Sequence, residues 1–159
     1  MEYGKSLLTA LRELEIADHL FNVSYPVLKD KRIFRSTISH MVRNSVMLVR
    51  AVLEHQCRSK KIQLVPSDNS YALDIFLEKY SILFEINDET KNTMKELLFI
   101  DKLIKSEKSS DFQREDRYYI LAGDYTVYGL EPKTIKKYID LLKELNKRVK
   151  NKIMVEHGI

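Results

Sequence analysis

The sequence predicts a mainly α fold: a five-helix bundle with one small β-hairpin before the last helix. Three observations predict it. The 159-residue chain holds only 4 Gly and 3 Pro, whereas an all-β domain needs many more turn residues. Apolar residues recur three and four positions apart through most of the chain, the period of a helix buried on one side. The stretch 117–128 differs, being rich in the aromatic and β-branched residues that favour strands. A chain of this length can bury about 70% of its unfolded surface in one core, so residues 1–159 are expected to form a single helical domain.

The first helix is expected from about Lys5 to Val23. Leu7, Leu11, Leu14 and Phe21 form its main stripe, and Leu8, Ile16 and Leu20 extend the apolar surface round it. A helix apolar on most sides is central or lies in a subunit interface. Pro26 should end it, because the residue before a proline is pushed out of the α region. The second helix is long, about Asp30 to Lys60, with Asp30 as N-cap and Ile38, Met41, Val42, Leu48, Val49 and Val52 inward. A third is expected over Asn69–Phe84. A fourth, over Glu89–Lys105, is capped by Asn87 or Asp88. Lys105–Asp111 is polar and is expected to be a loop. Arg117–Leu121 and Tyr125–Tyr128 make the hairpin, turning at Ala122-Gly123-Asp124. Pro132 opens the last helix, where its missing N–H costs nothing.

Composition narrows the function classes. Net charge is +4, which favours an anionic partner such as nucleic acid. The single Cys57 has no cysteine partner for a disulfide or a metal site. That suits a reducing compartment, and the opening Met1–Lys5 lacks a signal peptide's apolar core, so a cytoplasmic location is expected. No apolar run reaches the roughly 20 residues that span a bilayer. There is no Gly-rich phosphate loop, no Cys/His metal spacing and no Gly-x-Ser-x-Gly elbow. No cofactor or metal is expected.

The polar face of the second helix carries the most chemistry. At 100° per residue Ser36, His40, Arg43, Met47, Arg50, Glu54 and Arg58 share one stripe. Guanidinium groups bind phosphates in bidentate fashion, and an imidazole moves protons near neutral pH. Asp18 falls on the apolar stripe of the first helix, so its carboxylate needs a partner. Arg43 or Arg50 is the expected one, in either a catalytic or a structural ion pair. The basic run Arg58, Lys60 and Lys61 closes the second helix. In the last helix eight lysines and arginines, Lys136 and Lys147 among them, stand against three acids over 131–152. With Arg43, these are the candidate nucleic-acid contacts. The tyrosines 118, 119, 125 and 128 either stack on bases or pack the hairpin onto the helices.

The spacing Arg-x4-His occurs twice, as Arg35-Ser-Thr-Ile-Ser-His40 and Arg50-Ala-Val-Leu-Glu-His55. In this the chain resembles the HEPN superfamily of small helical bundles. The resemblance implies a metal-independent ribonuclease site in which Arg50 or Arg35 holds the phosphate and His40 or His55 transfers the proton, two copies of the motif meeting across a dimer. Noncatalytic members of that superfamily serve as binding or dimerisation modules. A second likeness rests on Ala17-Asp-His-Leu20, Val23-Ser-Tyr-Pro26, Leu28-Lys-Asp30, Phe112-Gln-Arg114 and Tyr118-Tyr-Ile-Leu121. These are similar to a family of uncharacterised small archaeal helical proteins, which implies a helical fold and no activity. The expectation is a HEPN-like dimerising or interaction protein that binds RNA or another nucleic acid. The alternative is a metal-independent endoribonuclease using an Arg-x4-His pair, with Asp18 in support.

Overall fold

The computed structural model describes residues 2–156. Among them run α1 (Glu2–His19), one π turn (Leu20–Ser24), α2 (Tyr25–Leu28), α3 (Lys31–Arg58), α4 (Asn69–Tyr80) and α5 (Asp88–Lys105), then β1 (Ser110–Arg114), β2 (Arg117–Leu121), β3 (Val127–Leu130) and α6 (Pro132–Glu156). The fold is mainly α, with a small antiparallel sheet before the last helix.

The long α3 is the axis of the domain. Asp30 caps it by accepting from the Arg32 N–H at 2.8 Å, and Phe34, Ile38, Met41, Leu48 and Leu53 are fully buried along it. On one side α1 packs antiparallel to it. Ser6, Ala10, Glu13 and Ala17 recur at spacings of four, three and four on a single line of α1, and all four are buried. The small side chains of Ser6, Ala10 and Ala17 let two helix backbones approach closely. α6 packs on α1 and α3 through Ile135, Ile139, Leu142, Leu145 and Val149. α4 and α5 close the opposite side of α3, capped by Asp68 and Asn87 through 2.9 and 2.8 Å bonds to the Tyr71 and Thr90 N–H groups.

Several local expectations are corrected. Pro26 does not stop the first helix. The chain widens into a π turn, passes through α2 and ends at Lys29, which is left-handed with φ 46°. Proline in a continuous α-helix would lose one ladder bond and clash with the preceding turn; the wider turn before it accommodates the ring. α4 ends at Tyr80. The next turn closes through Ile86 N–H to Ser81 O at 2.8 Å, with Glu85 left-handed and Phe84 buried.

The hairpin is a three-stranded sheet in the order β1-β2-β3. The stretch read as a loop ends in β1, where Phe112 pairs with Tyr119 and Arg114 with Arg117. The third strand starts at Val127, because 122–126 form the turn with Tyr125 left-handed at φ 68°. The inner face carries Tyr118, Ile120 and Leu130, all buried. Tyr118 stacks on Phe34 at 5.0 Å, and Phe34 meets Phe21 and Tyr25 edge-on. Each such ring pair is worth about 1 kcal/mol beyond its buried area. This aromatic cluster fastens the sheet to the start of α3.

α1 is covered largely by the chain itself. Leu11 and Leu14 pack in or against the core and Ile16 is half-buried, while Leu8 and Val23 stay exposed.

Candidate nucleic-acid interface

The close approach of α1 and α3 creates the first polar cluster. Glu13 lies on the small-residue line of α1 and is 7% exposed. Its carboxylate meets His40 Nδ1 at hydrogen-bond range and pairs with the Arg43 guanidinium at 3.3 Å. Nδ1 is the ring nitrogen in this contact, so Nε2 takes no part in it. His40 keeps 22% of its side-chain surface and Arg43 61%. The expected acid, Asp18, sits on the other flank of α1. It pairs with Lys143 of α6 at 2.9 Å and accepts from Asn22. Arg43 and Arg50 are therefore not its partners. The sequence held a signal for Glu13: it is the one ionisable residue on the Ser6–Ala10–Ala17 line.

The second cluster joins α3 to β1. Asp111 accepts from Arg35 Nη1 at 2.6 Å and from the Tyr118 hydroxyl at 2.7 Å, and pairs with Lys31 at 3.4 Å. Burial alone would raise the Asp111 carboxyl, but the Tyr118 hydrogen bond and the charges of Arg35 and Lys31 outweigh it and hold it below the usual value. Burial first, then the Asp111 hydrogen bond and charge, push the Tyr118 hydroxyl well above its ordinary range.

Neither Arg-x4-His pair is assembled by the fold. Residues five apart on an α-helix point about 140° away from each other. Arg35 accordingly goes to Asp111 and His40 to Glu13. Arg50 clamps the α3–α4 connector, donating to Pro66 O at 3.2 Å, Ser67 O at 2.8 Å and Asn69 Oδ1 at 2.8 Å. His55 is 3% exposed, edge-on to Tyr3 and beside Gln56.

Two surface grooves reflect the same pattern. One of about 380 Å³ runs between α3 and α5, lined by Arg32, Arg35, Ser36, Ser39 and Lys105. Its cations already hold carboxylates: Arg32 with Asp30 at 2.8 Å, Arg35 with Asp111, and Lys105 with Asp101 at 2.9 Å. A second, of about 310 Å³, is lined by Tyr3, Glu54, Cys57, Arg58 and Val65.

The remaining candidates are cations on the outside of the bundle. Lys136, Lys147 and Lys150 are exposed on α6, and among the described residues no carboxylate pairs with them. Lys143 lies on the same line, shared with Asp18. The four positions fall within about 60° of each other round the helix. They extend over roughly 21 Å at 1.5 Å per residue. Arg58, Lys60 and Lys61 are also exposed, at the C-terminus of α3. Asn44 of α3 bonds Asn146 of α6 and Ala10 of α1, and Lys143 of α6 meets Asp18 further along the antiparallel α1, so α3 and α6 run in the same direction and bring their basic C-terminal ends to one end of the domain.

No family model, no curated protein and no solved structure matches this chain. Among the described residues no group of three or more His, Cys, Asp or Glu could hold a metal ion, and no helix is long and apolar enough to cross a membrane.

Proposed function

We propose that the protein is a helical binding module that takes the phosphate backbone of a nucleic acid along α6 and the basic C-terminal end of α3. The observation that carries this reading is the Lys136–Lys143–Lys147–Lys150 line, three of whose cations pair with no carboxylate among the described residues. Unneutralised lysines at helical spacing repel one another, and phosphates relieve that repulsion while releasing condensed counterions. Of the α3 arginines read as a phosphate stripe, Arg43 and Arg50 contribute less, since they are engaged within the fold, while Arg58 stays exposed.

The test is fluorescence anisotropy with labelled 20-nucleotide RNA and DNA over a salt series. Lys136→Glu with Lys147→Glu should weaken binding and lower the salt slope by about 0.7–0.9 for each lost contact. Binding that ignores both salt and these changes would sink the reading, as would no binding at all.

One observation favours a second reading, a metal-independent endoribonuclease. His40 is held by a carboxylate at Nδ1 and keeps part of its side chain exposed, with the exposed Arg43 on the same Glu13. An oriented imidazole beside a guanidinium supplies a proton acceptor and phosphate charge stabilisation. RNA should then be cut in EDTA, and His40→Ala should abolish cutting while Arg50→Ala does not. Intact RNA at excess protein defeats it.

A further inference from the structure

The outer face of the sheet is unlike the rest of the surface. Phe112, Tyr119 and Val127 project from it, with Phe112 41% and Val127 53% exposed. The core needs none of them, because Tyr118, Ile120 and Leu130 on the other face do the packing. The Phe112 and Tyr119 rings are stacked, with centroids 5.1 Å apart and planes 17° from parallel. Tyr119 in turn lies over Gly129, where an added Cβ would come within 3.0 Å of the ring. The pile therefore leans across the sheet toward β3, which leaves Phe112 the more open ring at the edge strand.

Two arginines stand beside the pile on the same face. Arg114 and Arg117 are directly opposite each other in the register, and like charges so placed destabilise a sheet. Arg117 is tied to Glu131 at 2.6 Å. Arg114 is exposed and has no carboxylate partner among the described residues. Asp116, in the turn between them, is engaged by Lys29 at 3.7 Å. Glu131 immediately precedes α6, so this face adjoins the first turn of the lysine-bearing helix.

We infer that the open sheet face is a stacking platform for unpaired bases of a single-stranded nucleic acid, with Phe112 and Tyr119 as the π surface and Arg114 on an adjoining phosphate. This rests on the nucleic-acid reading above and gives it a strandedness. Aromatic side chains accept any base face and are worth several-fold to about a hundredfold in affinity per base. Duplex bases are already stacked and cannot reach the platform. The size of the face points the same way. Three strands about 4.8 Å apart and four or five residues long cover roughly 200 Å². A stable contact with a second copy needs about 800 Å² from each partner, whereas one or two bases fit.

The experiment uses the full chain, which has no tryptophan, so that Phe112→Trp places a single reporter in the pile. A 12-nucleotide oligouridylate should quench its emission and a 12-base-pair duplex should not. Phe112→Ala should weaken oligouridylate binding about tenfold while far-ultraviolet circular dichroism stays unchanged and Tm falls by only about 2–4 °C, and Phe112→Tyr should retain it. Unquenched emission and an unchanged Phe112→Ala affinity would overturn the platform. If the Lys136→Glu, Lys147→Glu variant still lost binding in that case, the backbone reading would survive alone. Absence of binding to either probe defeats both. A concentration-dependent emission shift without nucleic acid would mark the face as a contact between copies and overturn the proposal.

Discussion

The side-chain amides of Asn44 and Asn146 bond each other across the α3–α6 interface, with Asn44 Nδ2 2.8 Å from Asn146 Oδ1 although the residues are 102 positions apart. Asn44 also donates to Ala10 O at 2.7 Å, and Asn146 to Leu142 O at 2.6 Å. Both residues are at most 2% exposed. This pair ties three helices together and sets the height of α6 against α3, a register that apolar contacts alone specify poorly.

Asn44→Ala should therefore destabilise the protein by about 2–3 kcal/mol, because it strands the Asn146 amide in the interior. Urea unfolding measures it as a shifted midpoint with little change in slope. A double-mutant cycle with Asn146→Ala should show a coupling of about 1–2 kcal/mol. Additive effects would show that the two amides do not act as a unit.

Asp111 should give stability an acid limb. Its folded value lies below the ordinary carboxylate value of about 3.9, so as pH falls the unfolded chain takes up the proton first. The contribution is complete above about pH 4–5 and is lost as pH falls through the depressed value. Asp111→Asn should lower stability at pH 7 by about 1–3 kcal/mol and flatten the acid limb. Tyr118 acts in the opposite direction. Its raised value contributes below the free tyrosine value of about 10 and fades above it. Thermal melts from pH 2 to 11 check both limbs; an unchanged acid limb in Asp111→Asn would exclude this carboxyl as its source.

Arg50→Ala should loosen the connector between α3 and α4 rather than abolish an activity. Three acceptors at Pro66, Ser67 and Asn69 share its guanidinium, and Arg50→Lys cannot reproduce that fork. Both variants should lose about 1–2 kcal/mol and be nicked faster by protease between residues 59 and 68. Equal nicking of the parent and both variants would show that the clamp contributes nothing.

Gly129→Ala should disturb the aromatic pile without unfolding the domain. The new Cβ would press on the Tyr119 ring at 3.0 Å, and the exposed ring can move away. Near-ultraviolet circular dichroism should change while the far-ultraviolet spectrum does not. If oligouridylate binding occurs at the pile, it should weaken in this variant too.

The sequence by itself determined the elements whose signals are local. The α3 rod follows from an uninterrupted apolar period of 3.6, and it starts at Asp30 because a carboxylate there satisfies a free helix N–H. Pro132 opens α6 by the same logic of backbone groups that need no partner. The surplus of lysine on α6 was equally plain from residue counts. Only the tertiary structure decided how charges pair. Helical spacing places Asp18, Glu13, Arg35 and His40 on their own cylinders, but which carboxylate meets which cation depends on the antiparallel approach of α1 and α3 and on the arrival of β1 beside Lys31 and Arg35. β1 itself, Ser-Asp-Phe-Gln-Arg, has a single apolar residue and becomes a strand because β2 offers it a hydrogen-bonded edge. The Phe112–Tyr119 pile exists only in that register, since ring contact across a sheet is a long-range property that one strand does not carry.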